Sequence, residues 1–437
     1  MYFCNGLFNY FAMKRIYKIL LVVVILIIGY YIYSFIKEKT TDYGHKVVLC
    51  IPVYGQSLAL GEEATRITDF DSLRINYDGR IVTQNLDYIF GYIDDDISRQ
   101  NFKKFIRYNK RSFELSAYRM AEKLATQLGE DTIICIFTGG TGMSKITIMN
   151  KTTPIYDKFL YELEQAYKKA KDRGWEFYVP AICWMQGESD IIEYSDYDYK
   201  QLLKQFQDNI NNDIKKITNQ TSDIPFITYQ SNVITRAEYF DAKKYESTEM
   251  KVPQTYVDLI REDTMFWASG PTYPYTFVNE RLHIDGIGQQ HMGYLDAIAV
   301  MNIIKKERKT FGLTPISIIS DKNDILIKFN VPCPPLVIDT ILVCPIEHYG
   351  FSVITKDNND ILTSISIEDD IVRLSCSQSP IDCMVRYAVN GESMKSGNIH
   401  GPRGNLRDSQ GEKEKFSIGE NTYPVYNWAY QFNMLCR

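Results

Sequence analysis

Along the chain, charge-free apolar runs alternate with stretches whose apolar residues recur every three to four positions. The runs at 47–53, 132–137, 176–185 and 224–229 read as buried strands. The periodic stretches 113–128, 156–173 and 197–218 read as helices, and Gly129 and Gly174 stand just past two of them as stop signals. A last helix is expected over roughly residues 288–307. Strands and helices in alternation predict an α/β fold, with a parallel sheet covered by helices on both faces.

Near residue 310 the pattern changes. Short β-branched segments at 316–319, 325–329, 337–343, 364–367 and 371–375 are separated by Asp, Asn, Pro or Gly. They predict a smaller β-sandwich-like accessory domain over 311–437. Its tail holds a polar loop from His400 to Ser409, then Tyr423, Tyr426, Trp428, Tyr430 and Phe432. Aromatics near Arg and Asn suit glycan binding, but more often they close a sheet.

The N-terminus adds a third part. Residues 19–36 carry no charge and lie between Lys18 and Lys37. As a helix this stretch would span roughly 27 Å, close to the thickness of a membrane interior. Lys14, Arg15 and Lys18 precede it without an acid, which favours a cytoplasmic N-terminus. A cleavable signal peptide is the rival, but residues 31–36 offer no small-x-small cleavage site. The preferred reading is an uncleaved signal anchor within residues 1–40. The α/β domain, over 41–310, would then lie outside the cytoplasm, in a periplasmic, extracellular or lumenal space.

Composition refines this only slightly. The 437 residues are 45% hydrophobic and 24% charged, an ordinary globular balance with room for about two domains. A net charge of -5 gives no reason to expect nucleic acid. The 32 tyrosines suit sugar contacts. Cys50, Cys135 and Cys183 fall in apolar runs as buried thiols, whereas Cys333, Cys344, Cys376 and Cys383 lie close enough in sequence to pair. No spacing resembles a zinc site, and neither metal nor cofactor is expected.

The candidate chemistry begins at Gly55-Gln56-Ser57, which closes the first apolar run. A tight turn there would lift Ser57 above the C-terminal edge of the sheet, where open α/β sheets keep their ligand crevice. A nucleophilic serine needs a base, and the chain has only five histidines. His45 lies beside the anchor, and His348 and His400 lie in the β-rich part. His291 falls at a helix start, where a surface or capping role is the default. His283, in a loop expected to return to the crevice, is the preferred base. Glu280 and Asp285 both lie within reach of its other ring nitrogen, and Glu280 is preferred because a residue three positions earlier folds back beside the ring. Backbone amides for an oxyanion hole are offered by Thr138-Gly139-Gly140-Thr141-Gly142 after the second run. The next run ends in Trp184-Met185-Gln186-Gly187-Glu188-Ser189-Asp190. There Gln186 offers a side-chain donor and Glu188 a carboxylate to hold the loop.

These three strand ends and the histidine loop resemble the SGNH-hydrolase superfamily, in its sialate O-acetylesterase and acetylxylan esterase-like group. The resemblance spans about residues 46–305, and the run Trp184 to Asp190 is its most specific motif. It implies a flavodoxin-like three-layer fold and metal-independent removal of acetyl groups from carbohydrates. It further implies Ser57 as nucleophile, His283 as base, and oxyanion donors from the Ser57 amide, Gly139 or Gly140, and Gln186. Gln56, Trp184, Gly187, Glu188 and Asp190 are expected to shape the site. Two positions depart from the group: Leu58 stands where asparagine is common, and Glu280 where aspartate is common. The expected function is a serine esterase acting on sialic acid or another acetylated glycan through an acyl-enzyme. The alternatives are a membrane-tethered lipase- or thioesterase-like acyl hydrolase, or a glycan-binding protein with a decayed esterase site.

Overall fold

Val48 and Cys50 pack into one hydrophobic core while Leu49 and Ile51 pack into another. A strand with helices on both faces must be apolar in both directions, and this one is. The computed structural model describes residues 18–31, 44–77, 79–82, 113–193, 196–307 and 309–437. Its parallel strands are β1 (Val47–Cys50), β2 (Val53–Gly55), β3 (Ile81–Val82), β4 (Thr132–Cys135), β5 (Thr138–Gly140), β6 (Glu176–Tyr178), β7 (Ile182–Met185), β8 (Phe226–Gln230) and β9 (Phe266–Pro271). They form two ladders, β3-β4-β1-β6 and β5-β2-β7-β8-β9. Because β1 leads into β2, β4 into β5 and β6 into β7, the ladders are successive halves of one parallel layer. The predicted runs 47–53 and 176–185 each split near a proline, Pro52 and Pro180, which supplies no N–H to a ladder.

The covering helices are, in chain order, α1 (Ser116–Gln127), α2 (Pro154–Asp172), α3 (Glu188–Ile192), α4 (Tyr199–Thr218), α5 (Lys251–Glu262) and α6 (Gly286–Ile304). Apolar faces of α1 and α6 cover one side of the sheet, and those of α2, α4 and α5 the other. Local chemistry sets their starts. Thr153 accepts from the Tyr156 amide and Pro154 opens α2, while Asp198 caps α4 by accepting from the Gln201 amide. Two elements escape the sequence pattern. Pro253 interrupts the periodicity at the start of α5, and Ser269-Gly270 breaks the apolar run of β9.

The region after residue 310 is β-rich. Thr314–Asp321, Asp324–Asn330, Ile371–Cys376 and Leu362–Glu368 form a four-stranded antiparallel sheet, and Phe351–Ile354, Met384–Tyr387 and Phe432–Leu435 a three-stranded one. Both sheets contribute to one core, which also takes in Val257 and Ile260 of α5 together with Ala268 and Tyr273. Trp428, Tyr430 and Phe432 are buried there, so the tail aromatics close this core. The predicted strand at 337–343 is reduced to Val337–Ile338. The described cysteines are free thiols.

The described part of the predicted membrane span is a helix at 18–31 with its apolar side chains exposed all round. Residues 32–36 of that span lie outside the described residues. Among the described residues no helix is long and apolar enough to cross a membrane.

One buried acid makes stability depend on pH. Asp296 of α6 lies in the core beside Ser269 and Cys183, and burial raises its pKa to about 7. The native protein therefore retains a proton that the unfolded chain loses above its ordinary carboxylate pKa. Stability is fullest below that ordinary value and falls as pH rises to about 7. Asp296→Asn removes this dependence. Relative to wild type, the variant should gain roughly 3 kcal/mol of unfolding free energy between pH 5 and pH 8. Urea melts at both pH values measure it; an unchanged difference would refute the buried-acid account.

Candidate active site

Ser57 is placed by a backbone that tolerates no side chain at the turn before it. A Cβ on Gly55 would overlap the Met185 carbonyl, and the Gln56 amide donates to that same carbonyl at 2.9 Å. Gln56 then turns its side chain to the start of α3, where its Oε1 accepts from the amides of Gly187 (3.3 Å) and Ser189 (3.4 Å). Leu58, at the position where the resemblance expects asparagine, is buried in the core beneath α6. The Leu58 carbonyl accepts from Gln289 at 2.9 Å.

The loop continues tightly folded. Ser57 O accepts from the amides of Leu60 (3.1 Å) and Glu62 (3.0 Å). Buried Glu114 fastens its far end by accepting from the amides of Ile67 (2.7 Å) and Thr68 (2.8 Å) and from Gln290. Between these anchors Glu63 adopts a left-handed backbone, φ 63, which a non-glycine residue enters rarely and often at functional sites.

That conformation has a consequence. His283 Nε2 lies 2.8 Å from Ser57 Oγ, and His283 Nδ1 lies 2.7 Å from Glu63 Oε2. With its proton on Nδ1 directed at Glu63, the imidazole presents an acceptor to the serine hydroxyl. The acid beside His283 is therefore Glu63, which sequence reasoning missed.

Glu280, the acid expected there, points elsewhere. It accepts from Lys395 Nζ at 2.6 Å and pairs with His400 Nδ1 at 2.5 Å. These partners hold its carboxyl below the usual range. The cause is the backbone: Asn279 and Glu280 both have positive φ, and this tight turn sends the Glu280 side chain toward the C-terminal region. Asp285 is also engaged, capping α6 by accepting from the Gly288 amide at 2.8 Å. His291 is neither a surface nor a capping residue. It is half-buried, stacked on Tyr275 and edge-on to Phe416, and desolvation lowers its pKa to about 3.

The Trp184–Asp190 run divides by the period of a strand. Trp184 is fully buried among Tyr54, Phe206 and Phe226, so it is a core residue. Gln186, two positions on, projects the same way. Its Nε2 donates to Ser144 O at 3.0 Å and to Asp190, and its Oε1 accepts from Tyr199 at 2.7 Å. Both amide protons are thus committed, and Gln186 is not an oxyanion donor in this arrangement. Asp190 also accepts from Tyr197 and from the Ile146 amide at 3.1 Å, which ties the glycine loop after β5 to β7. Glu188 opens α3. It is buried, accepts from Tyr229 and leaves Oε2 without a partner; burial raises its pKa against these contacts.

Two amides remain for an oxyanion. The Ser57 N–H has no acceptor among the described residues. At Gly140 the parallel register opposite Gly55 uses the Thr141 amide, at 3.2 Å from Gly55 O, and leaves the Gly140 N–H on the open side of edge strand β5. Gly140 has φ 117, and a Cβ there would overlap Gly55 O. Gly139 packs against Tyr54 and Phe159. Among the described residues no group of His, Cys, Asp or Glu has the makings of a metal site.

Residues 110–293 match the family described as carbohydrate esterase, sialic acid-specific acetylesterase. Among solved structures the chain is similar to a carbohydrate acetylesterase from Xanthomonas citri, at 13% identity and a TM-score of 0.58, covering 88% of this chain and 80% of that one. It is also similar to NanS, at 14% identity and a TM-score of 0.41, over 60% of this chain and 99% of that one. A protein from Arabidopsis thaliana gives 14% identity and a TM-score of 0.41, over 58% and 98% of the two chains. No curated protein matches the chain.

Proposed function

We propose, from the match of residues 110–293 to the family described as carbohydrate esterase, sialic acid-specific acetylesterase, that this chain removes O-acetyl groups from sugars with a Ser57–His283–Glu63 triad. The observation that carries the triad is the continuous chain of contacts from Ser57 Oγ through both nitrogens of His283 to Glu63. Ser57 Oγ attacks the acetyl carbonyl carbon while its proton passes to His283 Nε2. The imidazolium so formed is stabilised by Glu63. The carbonyl oxygen, now an anion, is held by the Ser57 and Gly140 amides. As the C–O bond to the sugar breaks, His283 returns its proton to the sugar oxygen and leaves an acetyl-serine. Water, deprotonated by His283, then attacks this ester and releases acetate and free Ser57.

Acetate release from O-acetylated sugars, together with fluorophosphonate labelling of the full chain, tests this reading. The expected result is acetate production and a single label on the peptide containing Ser57. A labelled, folded protein that releases no acetate would sink it. An acyl-chain-length series separates an acetylesterase from a long-chain hydrolase, with activity expected to fall steeply beyond the shortest esters.

The exposed apolar helix at 18–31, continued in sequence by uncharged residues to 36, supports an N-terminal anchor. In that arrangement a catalytic unit over 41–310 and a β-rich accessory unit over 311–437 stand outside the cytoplasm. Membrane fractionation with protease shaving checks it; a protein released by carbonate washing is not anchored this way.

A further inference from the structure

Two arginines beside the histidine loop have no acid to hold. Arg236 ends the one-turn helix Ile234–Arg236, which packs against α3 next to the Gln56 contacts. Arg281 lies two residues before His283. A loop from the C-terminal region draws the two segments together. Thr235 Oγ1 donates to Lys395 O at 2.9 Å. Lys395 Nζ donates to Glu280 Oε2 at 2.6 Å, and the Ser396 amide to Glu280 O at 3.0 Å. The residue before each arginine is thus tied to the same short stretch.

The two guanidiniums lie close enough that, after burial, repulsion from Arg281 is the second cause lowering the Arg236 pKa. Arg236 Nε is buried without a partner. Neither side chain pairs with an acid among the described residues: Glu280 is held by Lys395 and His400, and Glu63 by His283. Holding two like charges together, one of them partly dry, is unfavourable unless an anion completes the group. A planar carboxylate matches guanidinium geometry, and it accepts two hydrogen bonds from each fork.

We propose that Arg236 and Arg281 form a carboxylate-binding subsite at the rim of the Ser57–His283 crevice, selecting acetylated sugars that carry an acid group over neutral ones. This inference rests on the esterase reading above. The carboxylate has two sources among sugars, a sialic acid or a uronic acid.

The test compares kcat/KM for O-acetylated N-acetylneuraminic acid, an O-acetylated galacturonide, and the methyl ester of each. Wild type is expected to prefer at least one acid over its own methyl ester by about ten-fold or more. Which acid is preferred identifies the source. In Arg236→Gln, Arg281→Gln and the double variant this preference should shrink toward unity, mainly through KM. Equal rates for acid and methyl ester in wild type, or a preference that survives both substitutions, would overturn the subsite. Arg281 is exposed, so Arg281→Gln alone remains informative if Arg236→Gln disturbs its turn. Calorimetry of the free sugar acids on full-length Ser57→Ala protein supplies a readout independent of turnover. Loss of binding in the arginine variants supports the subsite, and unchanged binding or none at all overturns it. Carboxylate binding without ester hydrolysis by wild type would overturn the esterase reading alone.

Discussion

Ser57→Ala is expected to lower kcat for acetyl-ester hydrolysis by at least about 10,000-fold, because it removes the hydroxyl that lies 2.8 Å from His283 Nε2. The serine side chain makes one contact of consequence, and its removal leaves Gly55, Gln56 and the amide ladder to β7 in place. The variant should therefore fold as wild type and still bind product. Parallel measurement of acetate release and thermal melting separates loss of chemistry from loss of fold. Residual activity above about one-hundredth of wild type in a folded variant would remove Ser57 from the mechanism.

Glu63→Gln is the second large effect. An amide at this position leaves the geometry nearly intact but removes the charge that stabilises the imidazolium, and it favours the wrong imidazole tautomer. The expected loss is about 100- to 10,000-fold in kcat with little change in KM. The paired control is Glu280→Gln, expected to stay within about ten-fold of wild type, because Glu280 contacts Lys395 and His400 and not His283. The opposite ranking, with Glu280→Gln the more damaging, would restore the acid that the sequence suggests and dismiss Glu63.

That pair of substitutions marks where sequence reading stops. Ser57 and the glycines of 139–140 stand at the ends of apolar runs, so their meeting at one sheet edge follows from the parallel order β5-β2-β7. His283 was recoverable by elimination. Glu63 was not, because it lies 220 residues from its partner in the chain and reaches it only through a left-handed backbone clamped by Glu114. The signal available was slight: a Glu62-Glu63 pair just after the nucleophile turn. Glu280 sits at the expected spacing, yet spacing says nothing about a positive φ that reverses its side chain. Gln186 fails for another reason. Side chains two apart on a strand share a face, so once Trp184 enters the core beside α4, Gln186 must project toward Tyr199 as well. For the same reason the β-rich region was legible in kind but not in strand count. Strands such as Phe351–Ile354 and Met384–Tyr387 are four residues long, too short to show a period.

The shared core beneath the C-terminal region has a bearing on biosynthesis. Val257, Ile260, Ala268 and Tyr273 emerge from the ribosome long before Val353, Val385, Tyr387 and Phe432, the residues that cover them. Until the strand Phe432–Leu435 pairs with Met384–Tyr387, the nascent α/β layer carries a bare apolar flank. A chain stopped after residue 312 should consequently aggregate or recruit holdase chaperones, and a well-behaved monomer of that length would contradict this. Completion of the α/β layer thus depends on a strand, Phe432–Leu435, that is made well after it.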